Sequence, residues 1–287
     1  GGCLADLGQV LPCWRSYRAL HCAVTAPVAS GGAASGRLVG AKAASHPLVF
    51  HHLPGRSPGV LFCPGFMSDM TGSKAAALED WCRRQGRQFT RFDYSGVGQS
   101  PGSFADGSLG RWAEDAEWVL ESVTQGPQII VGASMGGWIM LLLALRHPAR
   151  VAGLVGAAAA PDFVLRWWEG CTVEQRAALE STGFFMRPSR YSEEPYLVTM
   201  HLLKEGHRHL LMGDIPIGVA CPVRLLHGLR DPDVPWQLAV ALAEHIAHDD
   251  VEVTLVKGGD HRLSRPQDLS RLLAVVDALC AGVSPKK

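Results

Sequence analysis

Apolar and polar positions follow two rhythms along most of this chain. Short apolar runs rich in β-branched residues predict buried strands at 48–52, 59–63, 88–94, 129–131, 151–156, 223–227 and 251–256. Between them, apolar residues recur every three or four positions and predict helices at 71–84, 111–123, 138–145, 234–245 and 267–279. In the first of these, Ala75, Leu78, Trp81 and Cys82 share a face; in the second, Trp112, Ala116, Val119, Leu120 and Val123 do. Strands alternating with helices of this length predict a parallel sheet covered on both faces. The alternation stops over residues 161–216, which are aromatic and mostly helical in pattern. That stretch is expected to be a lid inserted into one α/β domain, whose two parts are 41–160 and 217–287. There are no internal repeats.

The first 40 residues lack both rhythms. Up to Lys42 there is one acid, Asp6, against Arg15, Arg18, Arg37 and Lys42, and small residues dominate from Ala26. Such an acid-poor, Arg-containing, Ser/Ala/Gly-rich stretch is expected to be a disordered mitochondrial transit peptide; the alternative is a plain flexible tail.

Composition narrows the function. Hydrophobic residues make up 47% of the 287, enough for a substantial core, and 27 Lys+Arg balance 27 Asp+Glu, so charge gives no case for nucleic acid or an anionic membrane. No apolar run is long enough for a transmembrane helix. The eight cysteines form no C-x-x-C pair and read as free thiols in a reducing compartment. His201, His207 and His209 have no Cys or carboxylate cluster beside them, so neither metal nor cofactor is expected.

The chemistry centres on Ile129-Ile130-Val131-Gly132-Ala133-Ser134-Met135-Gly136-Gly137-Trp138. A strand ends in a tight turn carrying G-x-S-x-G, and a helix follows. A serine there stands clear of the sheet, Gly132 and Gly136 lie where a Cβ would collide, and the helix aims its positive end at the hydroxyl. A serine hydroxyl needs a base, and the base needs an orienting acid. His261, after the last strand, supplies the base. Asp231, after the strand before it, supplies the acid, which gives the chain order Ser, acid, His. Asp233 and Asp260 compete with Asp231; Asp233 reads as the cap of the next helix, and Asp260 adjoins the histidine and would point elsewhere. Two N–H donors are needed for the tetrahedral oxyanion: that of Met135 and, after the strand ending at Cys63, that of Phe66 in Pro64-Gly65-Phe66. Cys63 itself reads as a small buried residue. Trp138 and the aromatics Trp167, Trp168, Phe184 and Phe185 are the candidate substrate-lining residues.

These motifs, with Arg91-Phe92-Asp93-Tyr94-Ser95-Gly96-Val97-Gly98, resemble the α/β-hydrolase superfamily over residues 48–279. The resemblance implies an α/β-hydrolase fold, a mostly parallel central sheet with helices on both faces and an inserted helical lid. It favours Asp231 through the G-x-x-D-x-x-V-P pattern, and it departs at Pro64, where the family usually has His. With the transit-like start, the chain more narrowly resembles the mitochondrial palmitoyl-protein thioesterases that are also acyl-glucuronide esterases. That resemblance implies depalmitoylation of S-palmitoylated proteins such as peroxiredoxins, and cleavage of acyl glucuronides. A serine peptidase on the same fold and a catalytically inactive binding protein are the competing expectations.

Overall fold

The computed structural model describes residues 34–38 and 47–283 except 192. Its centre is an eight-stranded sheet of β1 (Ala34–Leu38), β2 (Leu48–Leu53), β3 (Arg56–Cys63), β4 (Arg87–Asp93), β5 (Gln128–Ala133), β6 (Val151–Ala157), β9 (Val223–Gly228) and β10 (Val251–Val256), in the order β1-β2-β4-β3-β5-β6-β9-β10. From β4 to β10 every pairing is parallel; β1–β2 and β2–β4 are antiparallel. β1 lies inside the stretch expected to be a leader, so backbone pairing begins before residue 40. The rest of that expectation lies outside the described residues.

The parallel strands read as unbroken apolar runs because both faces are covered. On β3 and β5, Val60, Phe62, Ile129 and Val131 face one side, and Leu61, Cys63 and Ile130 the other. The first side packs against α1 (Ser73–Gln85) and α8 (Pro266–Gly282) through Leu78, Trp81, Leu272 and Val276. The second packs against α2 (Leu109–Ser122), α3 (Met135–Arg146) and α7 (Gln237–His245) through Trp112, Trp138 and Leu242. Residues 135–144 of α3 are buried all round, which is why its sequence shows no polar stripe.

The segment between β6 and β9 is less helical than its composition suggests. It holds α4 (Phe163–Glu169), α5 (Val173–Ser181) and α6 (Met200–Gly206), but also an antiparallel pair, β7 (Phe184–Arg187) and β8 (Tyr196–Thr199). Four-residue strands are too short for alternation to stand out from a helical pattern. Along β7 the side chains alternate, with Phe185 buried and Phe184 and Met186 exposed.

Candidate active site

Ser134, Asp231 and His261 follow β5, β9 and β10, at the carboxyl edge where parallel sheets form ligand crevices. Ser134 sits between β5 and α3 with φ 50° and ψ −114°, a strained conformation for a residue with a Cβ. The turn is held by Ser134 N–H donating to the Ala157 carbonyl, and by the Ser134 carbonyl accepting from Gly137 and Ala160. A Cβ at Gly132 would strike the Gly136 carbonyl, and one at Gly136 the Cys63 carbonyl, so strand and helix close up only because both are glycine.

The three side chains meet as a relay. His261 Nδ1 lies 2.7 Å from Asp231 Oδ2, and His261 Nε2 3.1 Å from Ser134 Oγ. An ionised carboxylate only accepts, so Nδ1 carries the proton and the Nε2 lone pair faces the serine hydroxyl. Asp231 Oδ1 accepts from the backbone N–H groups of Asp233 and Val234, both at 2.9 Å. A second histidine completes the set. His227 is fully buried, and its Nε2 lies 3.0 Å from the Val234 carbonyl and 3.1 Å from Asp231 Oδ2. The carbonyl cannot donate, so Nε2–H is the donor. Burial alone would raise the Asp231 carboxyl; hydrogen bonds from His227 and His261, the charge of His261 and the Val234 N–H outweigh it and hold Asp231 well below the usual carboxylate range. The rival acids are engaged elsewhere. Asp260 accepts from the Leu263 N–H at 2.9 Å. Asp233 does not cap α7, contrary to expectation; the residue before that helix is Trp236, and Asp233 accepts the Tyr191 hydroxyl at 2.5 Å.

Neither the Phe66 nor the Met135 N–H meets a protein acceptor among the described residues. Their loops are firmly held. Met70, at the end of the Phe66 loop, donates to Asp93 Oδ1 at 2.7 Å and accepts from Arg91 at 2.9 Å. The Gly-Val-Gly turn beyond Asp93 is tied to it by Gln99 N–H at 2.8 Å. Cys63 is enclosed, and burial pushes its thiol up to about 12, as suits a packed residue rather than a nucleophile.

A cavity of about 300 Å³ opens over Ser134 and His261. Of the five aromatics expected to line it, only Trp167 does. Trp138 is buried in the core, its indole donating to the His209 carbonyl at 3.0 Å. Trp168 lies a helical step around α4, exposed and covered by Arg176; Phe184 points to solvent and Phe185 into the core. The apolar wall is instead Phe66, Phe163, Trp167 and Tyr196. The Phe66 ring packs edge-on against each of the other three, with centroids 5.1–5.9 Å away. The aromatics of residues 161–216 also include Tyr191, which lines the cavity and whose ring stacks 6.0 Å from that of His261. No local pattern marks it, because its partners are far along the chain.

The model of the alpha/beta hydrolase fold family matches residues 58–202. The mouse and human mitochondrial palmitoyl-protein thioesterases ABHD10 are 42% and 41% identical over 81% of this chain, covering 78% and 76% of their own lengths. The structure of mouse α/β-hydrolase domain-containing protein 10 matches at 39% identity with a TM-score of 0.81, over 88% of this chain and all (100%) of that one. A crystal structure of a protein from Agrobacterium vitis S4 matches at 39% identity with a TM-score of 0.83, over 87% of this chain and 99% of that one. The thioesterases are named as mitochondrial, in agreement with the compartment expected from the leading stretch. This chain belongs to the alpha/beta hydrolase fold family.

Proposed function

We propose that the protein hydrolyses acyl thioesters and esters through an acyl-enzyme on Ser134. The carrying observation is the continuous hydrogen-bonded line from Ser134 Oγ through His261 to Asp231, set at a strained turn. Ser134 Oγ attacks the acyl carbonyl carbon while His261 Nε2 takes its proton. Negative charge collects on the carbonyl oxygen, where the free N–H groups of Phe66 and Met135 receive it. The intermediate collapses, the C–S or C–O bond breaks, and His261 protonates the departing thiolate or alkoxide. Water, deprotonated by His261, then releases the acid and restores Ser134. Asp231 keeps its charge throughout and holds the imidazole in the productive tautomer.

Relatives named as palmitoyl-protein thioesterases support an acyl cysteine as substrate. On this reading S-palmitoylated proteins such as peroxiredoxins are the partners. Acyl glucuronides are a second substrate on this reading. The segment 161–216 acts as the lid, since Trp167 and Tyr196 from it complete the apolar wall. An acyl group against that wall leaves the carbonyl at Ser134. The test is labelling by a serine-reactive fluorophosphonate, followed by release of palmitate from an S-palmitoylated peroxiredoxin peptide. Labelling at Ser134 with palmitate release is expected. No labelling and no hydrolysis of any ester or thioester would leave a binding protein on a hydrolase fold, and labelling with cleavage of a peptide bond would favour a peptidase.

A further inference from the structure

Four cations line the cavity, Lys74, Arg166, Arg187 and Arg262, and none of them makes an ion pair with a carboxylate among the described residues. Arg166 on α4 and Arg187 on β7 both line the cavity. They lie near enough to repel each other, and neither has a carboxylate within ion-pair distance among the described residues. Arg187 is held instead over the Trp167 ring, its guanidinium carbon 4.9 Å from the ring centroid. The remaining charged groups of the cavity make other contacts. Asp69 accepts from both the N–H and the hydroxyl of Thr71. Asp233 holds Tyr191, with Arg190 beside it at 3.9 Å. Lys74 donates to the Arg262 carbonyl, and Arg262 lies over the Tyr191 ring at 5.8 Å. Burial is the main cost to the Arg166 charge; the Asp231 and Asp162 carboxylates offset it only in part, and Arg187 adds a smaller repulsion, so an anion entering beside the two guanidinium groups relieves the site. The planar guanidinium fork pairs with two oxygens of a carboxylate or phosphate at once.

The sheet order says which part of the substrate carries the anion. Ser134 follows β5, α4 with Arg166 follows β6, and Asp231 follows β9, so Arg166 stands between the serine and the acid of the relay. Asp231 is the strongest source of favourable charge felt by Arg166, ahead of Asp162. That is the side from which His261 protonates the leaving group. We infer that Arg166 and Arg187 form an anion subsite for a carboxylate or phosphate borne on the leaving group of the ester or thioester. The inference rests on the hydrolase reading above and adds to it a selection the triad itself cannot make.

The experiment measures kcat/KM for pairs that share an acyl group and differ only in the anion. One pair is a 1-O-acyl glucuronide and the corresponding acyl glucoside; the other is an acyl-coenzyme A and the corresponding acyl-pantetheine. Wild type is expected to favour the anionic member of at least one pair by about tenfold or more, the scale of a charge-assisted contact. The preferred pair tells carboxylate from phosphate. In R166Q/R187Q the ratio is expected to fall toward one, with R166K/R187K retaining part of it. A wild-type ratio near one in both pairs, or a ratio that survives the glutamine variant, overturns the subsite. Should the double variant not fold, free glucuronate and glucose are compared as inhibitors of wild-type p-nitrophenyl butyrate hydrolysis, alongside inorganic phosphate. Inhibition by either anion but not by glucose supports the subsite, and no inhibition by any of the three overturns it. Failure to cleave even the neutral esters defeats the hydrolase reading instead, so the two failures are distinct.

Discussion

At the scale of single residues, the site is a set of hydrogen bonds whose partners each have one role. Ser134→Ala removes the nucleophile without adding bulk. It is expected to cost on the order of a million-fold in kcat and to abolish fluorophosphonate labelling, while the melting temperature holds. A variant retaining a tenth of wild-type rate would remove Ser134 from the mechanism. Asp231→Asn is expected to lower kcat by about 10⁴, because an amide donor facing Nδ1 selects the wrong imidazole tautomer. Steady-state rates of Asp231→Asn and Asp233→Asn, side by side, separate the two acids; a larger loss at Asp233 would reverse the assignment. Asp231 was legible from its place after the strand before His261, together with the G-x-x-D-x-x-V-P pattern. His227 was not, although it lies only four residues earlier, because a histidine ending a buried strand has no local sign that its imidazole turns toward the acid.

Elements set the precision of those contacts. Tyr191 joins the inserted segment to the relay, donating to Asp233 across 42 residues while its ring covers His261. Tyr191→Phe keeps the stack and loses the hydrogen bond, which at a charged acceptor contributes roughly 1.5–3 kcal/mol. KM for long acyl substrates is expected to rise about tenfold or more, since every 1.4 kcal/mol is a decade, while labelling of Ser134 persists. An unchanged KM would show that the tie does not hold the segment over the cavity. Asp115 on α2 plays the matching part beneath the sheet edge, accepting from the Ser95 N–H at 2.8 Å and its hydroxyl at 2.9 Å. Burial pushes its carboxyl up to about 6 against those bonds. The folded form therefore holds its proton at pH values where the unfolded chain has lost it. Stability from this group is full below about pH 4 and is lost as pH rises through about 6, on the order of 3 kcal/mol in all. Denaturant titrations of wild type and Asp115→Asn at pH 4.5 and 7 check this. Wild type is expected to lose ground relative to the variant at the higher pH, and a constant difference would mean that Asp115 does not titrate in between.

For the whole molecule, the question is how aromatic and cationic groups share one cavity. Each methylene buried against Phe66, Phe163, Trp167 and Tyr196 contributes about 0.8 kcal/mol, so kcat/KM for p-nitrophenyl esters is expected to rise with chain length until the wall is covered. A series from acetyl to palmitoyl measures it, and a maximum at acetyl would leave the aromatic wall as a cover only. The covered sheet, the nucleophile turn and the order serine, acid, histidine could be read from the chain by itself. Backbone sterics and strand or helix period act over a few residues, and Gly132, Ser134 and Gly136 lie within that reach. The antiparallel pair inside the inserted segment could not, because four-residue strands carry too little period to outweigh a helical neighbourhood. Which aromatics face the substrate was likewise decided only on folding. Trp167 and Trp168 are neighbours in sequence, and a rotation of about 100° per residue around α4 puts one in the cavity and the other in solvent. The same holds for Arg166 and Arg187: that neither makes an ion pair among the described residues follows from what packs around them, and no stretch of chain contains it.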